Sequence, residues 1–145
     1  MPDNEVTMRV DKLGNKRWRN KNGVFHRLDG PAVEPSNGDK QWYLNGVLHR
    51  EGGPAIERSD GSKEWWLNGW RHREGGPAVE DSDGSKEWYL NGRRHREGGP
   101  AVEYSDGGKG WWLNGIRYKT KESYFDALSY EGKRLCLISE DFLNA

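Results

Sequence analysis

Four histidines, His26, His49, His72 and His95, recur at intervals of 23 residues, and each is followed at once by an arginine: Arg27, Arg50, Arg73 and Arg96. A glutamate stands eight residues after each histidine, at Glu34, Glu57, Glu80 and Glu103. Imidazole, guanidinium and carboxylate in one recurring set suggest two chemistries, metal binding and acid–base catalysis. Zinc ligands must converge to about 2.0–2.3 Å from one ion. Histidines placed once per hairpin of a sheet stand roughly 10 Å apart, too far to share one. An enzyme needs a single pocket whose groups titrate apart, and this set is written four times over. The serines of the Ser-Asp-Gly turns lack any nucleophile context. No catalytic residue, metal ligand or cofactor is therefore expected. The three columns are expected to pair within the sheet, where facing opposite charges contribute a few tenths to about 1 kcal/mol each.

The elements that must carry these columns follow from the repetition, which decides a fold before any local reading. Asn68 opens NGWRHREGGPAVEDSDGSKEWYL, and close copies begin at Asn22, Asn45 and Asn91, with a fifth breaking off after Tyr118. Trp42, Trp65, Trp88 and Trp111 keep the same interval, with Trp18 a displaced earlier member. In Lys63–Leu67 the residues alternate as a strand would place them, with 63, 65 and 67 on one face and 64 and 66 on the other. Asn68-Gly69 is the strongest short signal for a hairpin with positive φ at both turn positions. Asp83-Gly84 is a second turn, and Pro77 belongs at a bulge, a strand start or an edge. The Trp column is expected to form the inner face of a thin core, with Tyr43, Trp66, Tyr89 and Trp112 beside it.

Composition supports this reading. Hydrophobic and charged residues each make up 32 % of the 145 residues, so the apolar load falls on eight Trp, six Tyr and three Phe rather than on a large aliphatic core. Aromatic richness and balanced charge, with 23 basic and 23 acidic side chains, argue against disorder and against a general binder of double-stranded nucleic acid. The basic stretch from Arg9 to Arg27 reads as a solvated end-cap. Attachment to an anionic membrane through it is the weakest reading. One cysteine, Cys136, leaves no disulfide framework, and no signal peptide or membrane-length apolar run stands in the sequence. Cytoplasmic localisation is the expectation.

The phrase W-x-x-N-G-x-x-H, followed by Gly and later by D-G-[SG], resembles the MORN repeat over Leu13 to Tyr118. It departs from that pattern where His-Arg precedes Gly-Pro-Ala, and in lacking Tyr and Gly before the Trp, and so resembles a divergent bacterial and phage-type variant. The resemblance implies an all-β, elongated single-layer antiparallel sheet of 23-residue hairpins with a short α-helical C-terminal cap. The expected organisation is an N-terminal cap with a degenerate repeat (1–22), four full repeats with the start of a fifth (23–119) and a C-terminal cap (120–145). In that tail Ser123 and Asp126 resemble a capping box opening a helix through Tyr124, Phe125 and Leu128, with Gly132 as its stop. Leu135 to Ile138 is a short apolar run, strand or helix.

Positions that differ between copies are not dictated by the repeat and are free to meet a partner. Among them Trp70, Arg71, Arg93, Arg94, Tyr104 and Arg58 carry the residue types that dominate interface hot spots. The expected function is a non-catalytic protein-binding module, in its specific form a phage-type inhibitor of a host defence protein, acting in the host cytoplasm. The alternative is a module that binds a small anionic ligand such as a nucleotide, through arginine forks and aromatic faces. Open sheet edges also leave self-association available.

Overall fold

The computed structural model describes residues 5–145, so the first four residues of the expected N-terminal cap lie outside the described residues. The chain divides between Trp70 and Arg71 into two compact units. It is mostly antiparallel β-hairpins, followed by a short helical C-terminal part.

The first unit contains β1 (Val6–Val10), β2 (Lys16–Asn20), β3 (Val33–Glu34), β4 (Lys40–Gln41), β5 (Tyr43–Leu44), β6 (Val47–Leu48), β7 (Ile56–Glu57), β8 (Lys63–Glu64) and β9 (Trp66–Leu67). The order β1-β2-β3-β4-β7-β8 makes its main sheet, and β5 pairs with β6 as a separate hairpin. Trp70 ends the unit at the start of β10 (Trp70–Arg71), the partner of β9. The second unit contains β11 (Val79–Glu80), β12 (Lys86–Glu87), β13 (Tyr89–Leu90), β14 (Arg93–Arg94), β15 (Val102–Glu103), β16 (Lys109–Leu113) and β17 (Ile116–Tyr118). Its order is β11-β12-β15-β16-β17, with β13 and β14 as a separate hairpin. Three helices follow, α1 (Lys121–Ala127), α2 (Tyr130–Ile138) and α3 (Glu140–Leu143).

The Asn-Gly turns form as expected. Asn45, Asn68, Asn91 and Asn114 have φ between 48° and 51°, and the glycine after each is also positive, as Gly46 is at 82°. Asparagine tolerates this left-handed region because its short polar side chain bonds locally.

The alternation through Lys63–Leu67 does not continue unbroken. The strand ends at Glu64 and resumes at Trp66. The equivalent position in the preceding copy shows why. Trp42 N–H donates to the Ala55 carbonyl at 2.8 Å, a main-sheet neighbour, while its carbonyl accepts from His49 N–H at 3.1 Å, across the hairpin. Each such Trp is where the chain leaves one sheet for the other.

That position also corrects the core. Trp42, Trp65 and Trp88 are only half-buried, and Trp111 alone of the column is buried, at 8 % exposure. The fully buried column is Ala32, Ala55, Ala78 and Ala101, each at 0 %, followed by Val33, Ile56, Val79 and Val102. Strand register puts Ile56 opposite Glu64, Val79 opposite Glu87 and Val102 opposite Gly110, so one face carries aliphatics together with those positions. The other face carries a charge ladder, Glu57 opposite Lys40 and Lys63, and Lys86 opposite Glu80 and Glu103.

The tail is helical, but its caps differ from the expectation. Thr120, not Ser123, is the N-cap of α1, and Ser123 closes the capping box as its third helical residue. Gly132 stops nothing: it is buried inside α2, where a Cβ would stand 2.9 Å from Leu128 Cδ2. Close packing against Leu128, rather than backbone reversal, accounts for glycine there. The helices enclose a core of Trp111, Leu113, Tyr124, Leu128, Cys136 and Phe142. Burial pushes the Tyr124 hydroxyl far above its usual pKa, and it donates to the Arg96 carbonyl at 2.6 Å.

Candidate functional site

The His-Arg-Glu columns are absorbed into the framework, each residue by a different contact. The histidines do not pair with the glutamates eight residues on; Nε2 of His49 and His72 stands 3.8 and 3.9 Å from the carboxylates of Glu51 and Glu74 instead. Nδ1 of His26, His49, His72 and His95 accepts the backbone N–H of Asn45, Asn68, Asn91 and Asn114, at 2.9–3.0 Å. Each imidazole therefore carries its proton on Nε2 and holds the Asn-Gly turn of the following copy. Among the described residues, the one buried side-chain polar atom without a hydrogen-bond partner is His26 Nε2. Replacing His72 with alanine removes an acceptor and is expected to cost about 1–2 kcal/mol. Urea midpoints check this, with Val47→Ala, an exposed site, as a control that should stay within about 0.5 kcal/mol.

The arginines stack on the tryptophans. The guanidinium carbon lies 4.0 Å from the ring centroid for Arg27 on Trp18, and 3.8 Å for Arg50 on Trp42 and Arg96 on Trp88. Nη1 of Arg27, Arg50, Arg73 and Arg96 also donates to the carbonyls of Pro31, Pro54, Pro77 and Pro100 at 2.9–3.1 Å. The same atoms reach Glu34, Glu57, Glu80 and Glu103 at 2.8–3.4 Å, which is the expected Arg–Glu pairing. Glycine precedes each proline for a reason of space: a Cβ at Gly30 or Gly99 would stand 2.8 Å from the guanidinium carbon. Concave surfaces lie beside these stacks, one lined by Arg27, Trp42, His49 and Arg50, another by Arg73, Trp88, His95 and Arg96. Their cations are already engaged. Among the described residues, no three His, Cys, Asp or Glu side chains converge as metal ligands.

The varying positions divide into two groups. Arg58, Arg71 and Arg94 are engaged by other side chains of the chain, Arg58 while still exposed and the other two half-buried. Arg58 pairs with Glu64 at 2.7 Å, and Arg71 lies over the Tyr89 ring at 5.5 Å. Arg94 donates from Nε to Glu87 at 3.0 Å and lies over the Trp112 ring at 5.2 Å. Burial opposes the Arg94 charge, but the Glu87 carboxylate outweighs it and raises its pKa. Burial, and then the bond to Glu87 at 2.8 Å, raises the Tyr89 hydroxyl.

Trp70, Arg93 and Tyr104 face solvent, Trp70 with 62 % and Tyr104 with 53 % of its surface exposed. In the first unit Val24, Val47 and Trp70 hold equivalent places after the hairpin turns and form an exposed apolar series. Val24 sits under Gly46, and Val47 under Gly69, within ordinary or tighter packing distance. The apolar run Leu135 to Ile138 forms part of α2, where Leu137 and Ile138, with Tyr130, are strongly exposed. Which residues of that run are buried depends on how the helix is oriented, which the run alone does not state.

No protein-family model matches the chain, and neither does any curated protein or solved structure. Among the described residues no helix is long and apolar enough to cross a membrane.

Proposed function

We propose that the chain is a non-catalytic protein-binding module built from MORN-like hairpin repeats, which engages its partner through the hairpin tips of the first unit. The observation that carries this reading is the exposed series Val24, Val47 and Trp70. Isolated surface apolar residues are ordinary, but an exposed Trp in line with apolar neighbours has the character of an interface hot spot. The tips that carry Val47 and Trp70 are each set by an Asn-Gly turn and a histidine bond from the preceding copy, so this part of the surface is held rigid before any partner arrives. Rigid contact residues lose little freedom on binding. An inhibitor of a host defence protein, carried by a phage, is the specific form that the repeat phrase suggests.

Trp70→Ala tests the reading because the side chain is mostly exposed and the fold should lose well under 1 kcal/mol. Affinity capture from the cells of origin, quantified by mass spectrometry, should show a protein enriched by the native chain and lost with Trp70→Ala. If the two baits enrich the same proteins equally, the tips of the first unit are not the binding surface.

A further inference from the structure

Hairpins within each unit are tied together by a repeated pair of backbone bonds. The carbonyls of Phe25, Leu48, Arg71 and Arg94 each accept from the turn glycine of the next copy, Gly46, Gly69, Gly92 and Gly115, at 2.9 Å. Two residues further on, the N–H groups of Arg27, Arg50, Arg73 and Arg96 donate to Tyr43, Trp66, Tyr89 and Trp112, at 3.1–3.3 Å. In β17 the equivalent groups are the Arg117 carbonyl and the Lys119 N–H. Ile116 pairs with Leu113 beside the turn and forms the bonded pair, so Arg117, opposite Trp112, directs its backbone groups outward. Both Arg117 and Lys119 are exposed, and neither of these groups is hydrogen-bonded among the described residues.

The side chains of the last copy show a second gap. Glu64 accepts the Trp66 indole N–H at 3.1 Å, and Glu87 accepts both the Tyr89 hydroxyl at 2.8 Å and Arg94 Nε at 3.0 Å. The last copy has Gly110 at that position, opposite Val102 as Glu87 is opposite Val79. Trp112 Nε1 lies 3.1 Å from where a Gly110 Cβ would stand. Neither Trp112 Nε1 nor the Arg117 guanidinium has an acceptor among the described residues. Arg71 and Arg94 each lie over the aromatic ring of the next copy, and Arg117 has no such ring.

We propose that the β17 edge, with Trp112 and Arg117, docks an extended acidic segment of a partner protein. The segment pairs with the Arg117 carbonyl and the Lys119 N–H. It places a carboxylate against Trp112 Nε1 and Arg117, where Glu64 and Glu87 serve their own copies. Charge selects this occupant over a second copy of the chain. From Lys109 to Lys121 there are four cations, Lys109, Arg117, Lys119 and Lys121, and no acid. β1, the outer strand of the first unit's sheet, carries Arg9, so pairing of either strand with its copy brings like charges together. Adding a strand to an open edge is a common mode of peptide recognition, with main-chain bonds supplying affinity and side-chain pockets supplying selectivity. The inference rests on the reading of the chain as a protein-binding module and gives it a second, separate surface.

The test uses a dye-labelled peptide, Val-Glu-Val-Tyr-Val-Glu, and its counterpart with lysine for glutamate, titrated with the full chain by fluorescence anisotropy. The acidic peptide should bind, and the lysine peptide should not. Gly110→Glu fills the position with the chain's own carboxylate, as Glu64 and Glu87 do in folded copies, and should weaken binding at least about tenfold. Arg117→Glu should weaken it at least as much. Trp70→Ala should bind the peptide as the native chain does, even where it loses the partner of the first unit. Equal binding of the two peptides, or native binding by Gly110→Glu, would overturn the inference and leave the Trp70 reading standing. Should Arg117→Glu misfold by circular dichroism, Gly110→Glu decides alone.

Discussion

Trp111→Ala is expected to cost about 3–5 kcal/mol, as truncation of a buried aromatic does, while Trp88→Ala is expected to cost about half as much. Both residues belong to the same sequence column, and only their surroundings differ. Trp111 packs with its ring centroid 4.9 Å from Tyr124 and 5.8 Å from Phe142, under the C-terminal helices. No relaxation of a β-turn can refill that space. Trp88 is half-buried, with the Arg96 guanidinium on its ring, and alanine there leaves a partly hydrated groove rather than a closed cavity. Urea denaturation at constant m-value checks the ranking. Equal midpoints would mean that the helices do not seal the end of the sheet as described.

Arg96→Ala is expected to cost about 2–3 kcal/mol, the range for losing hydrogen bonds to charged groups. This side chain is 14 % exposed and joins four neighbours: the Trp88 ring, the Pro100 carbonyl, Glu103 and Asp141. Asp141 belongs to α3, so the arginine ties helix to sheet. Arg96→Lys is expected to recover less than half of the loss. An ammonium group cannot stack flat on the indole and fork to two oxygens at once. Thermal melts of both variants, beside Arg27→Ala as the copy without a helical neighbour, separate the stack from the helix contact. If lysine restores full stability, charge alone matters and the stacking geometry contributes nothing.

How much of this was legible in the sequence varies with how local each feature is. The Asn-Gly turns, the Gly-containing second turns and the β class follow from neighbouring residues, because positive φ and alternating side chains are decided within a few bonds. The Arg–Glu pairing was legible because both partners lie in one copy, seven residues apart, as Arg73 and Glu80 do. The role of the histidines was not. Their acceptor bond reaches across 19 residues to the next turn, and only a folded register brings His72 to Asn91.

By itself, the sequence determined the 23-residue recurrence, the hairpin turns and the helical nature of the tail. Tertiary structure alone decided which aromatic is core. Four tryptophans at equal spacing are chemically the same, and the sheet path bends at three of them, leaving those half-buried, Trp42 and Trp88 under an arginine. At Trp111 β16 runs on unbroken and the helices close over it. Only the fold could likewise show that Gly110 leaves Trp112 and Arg117 without the carboxylate their counterparts hold. The reason is the same in both cases. Burial and pairing depend on what arrives from distant parts of the chain, and a repeating sequence states each position's chemistry without stating its neighbours.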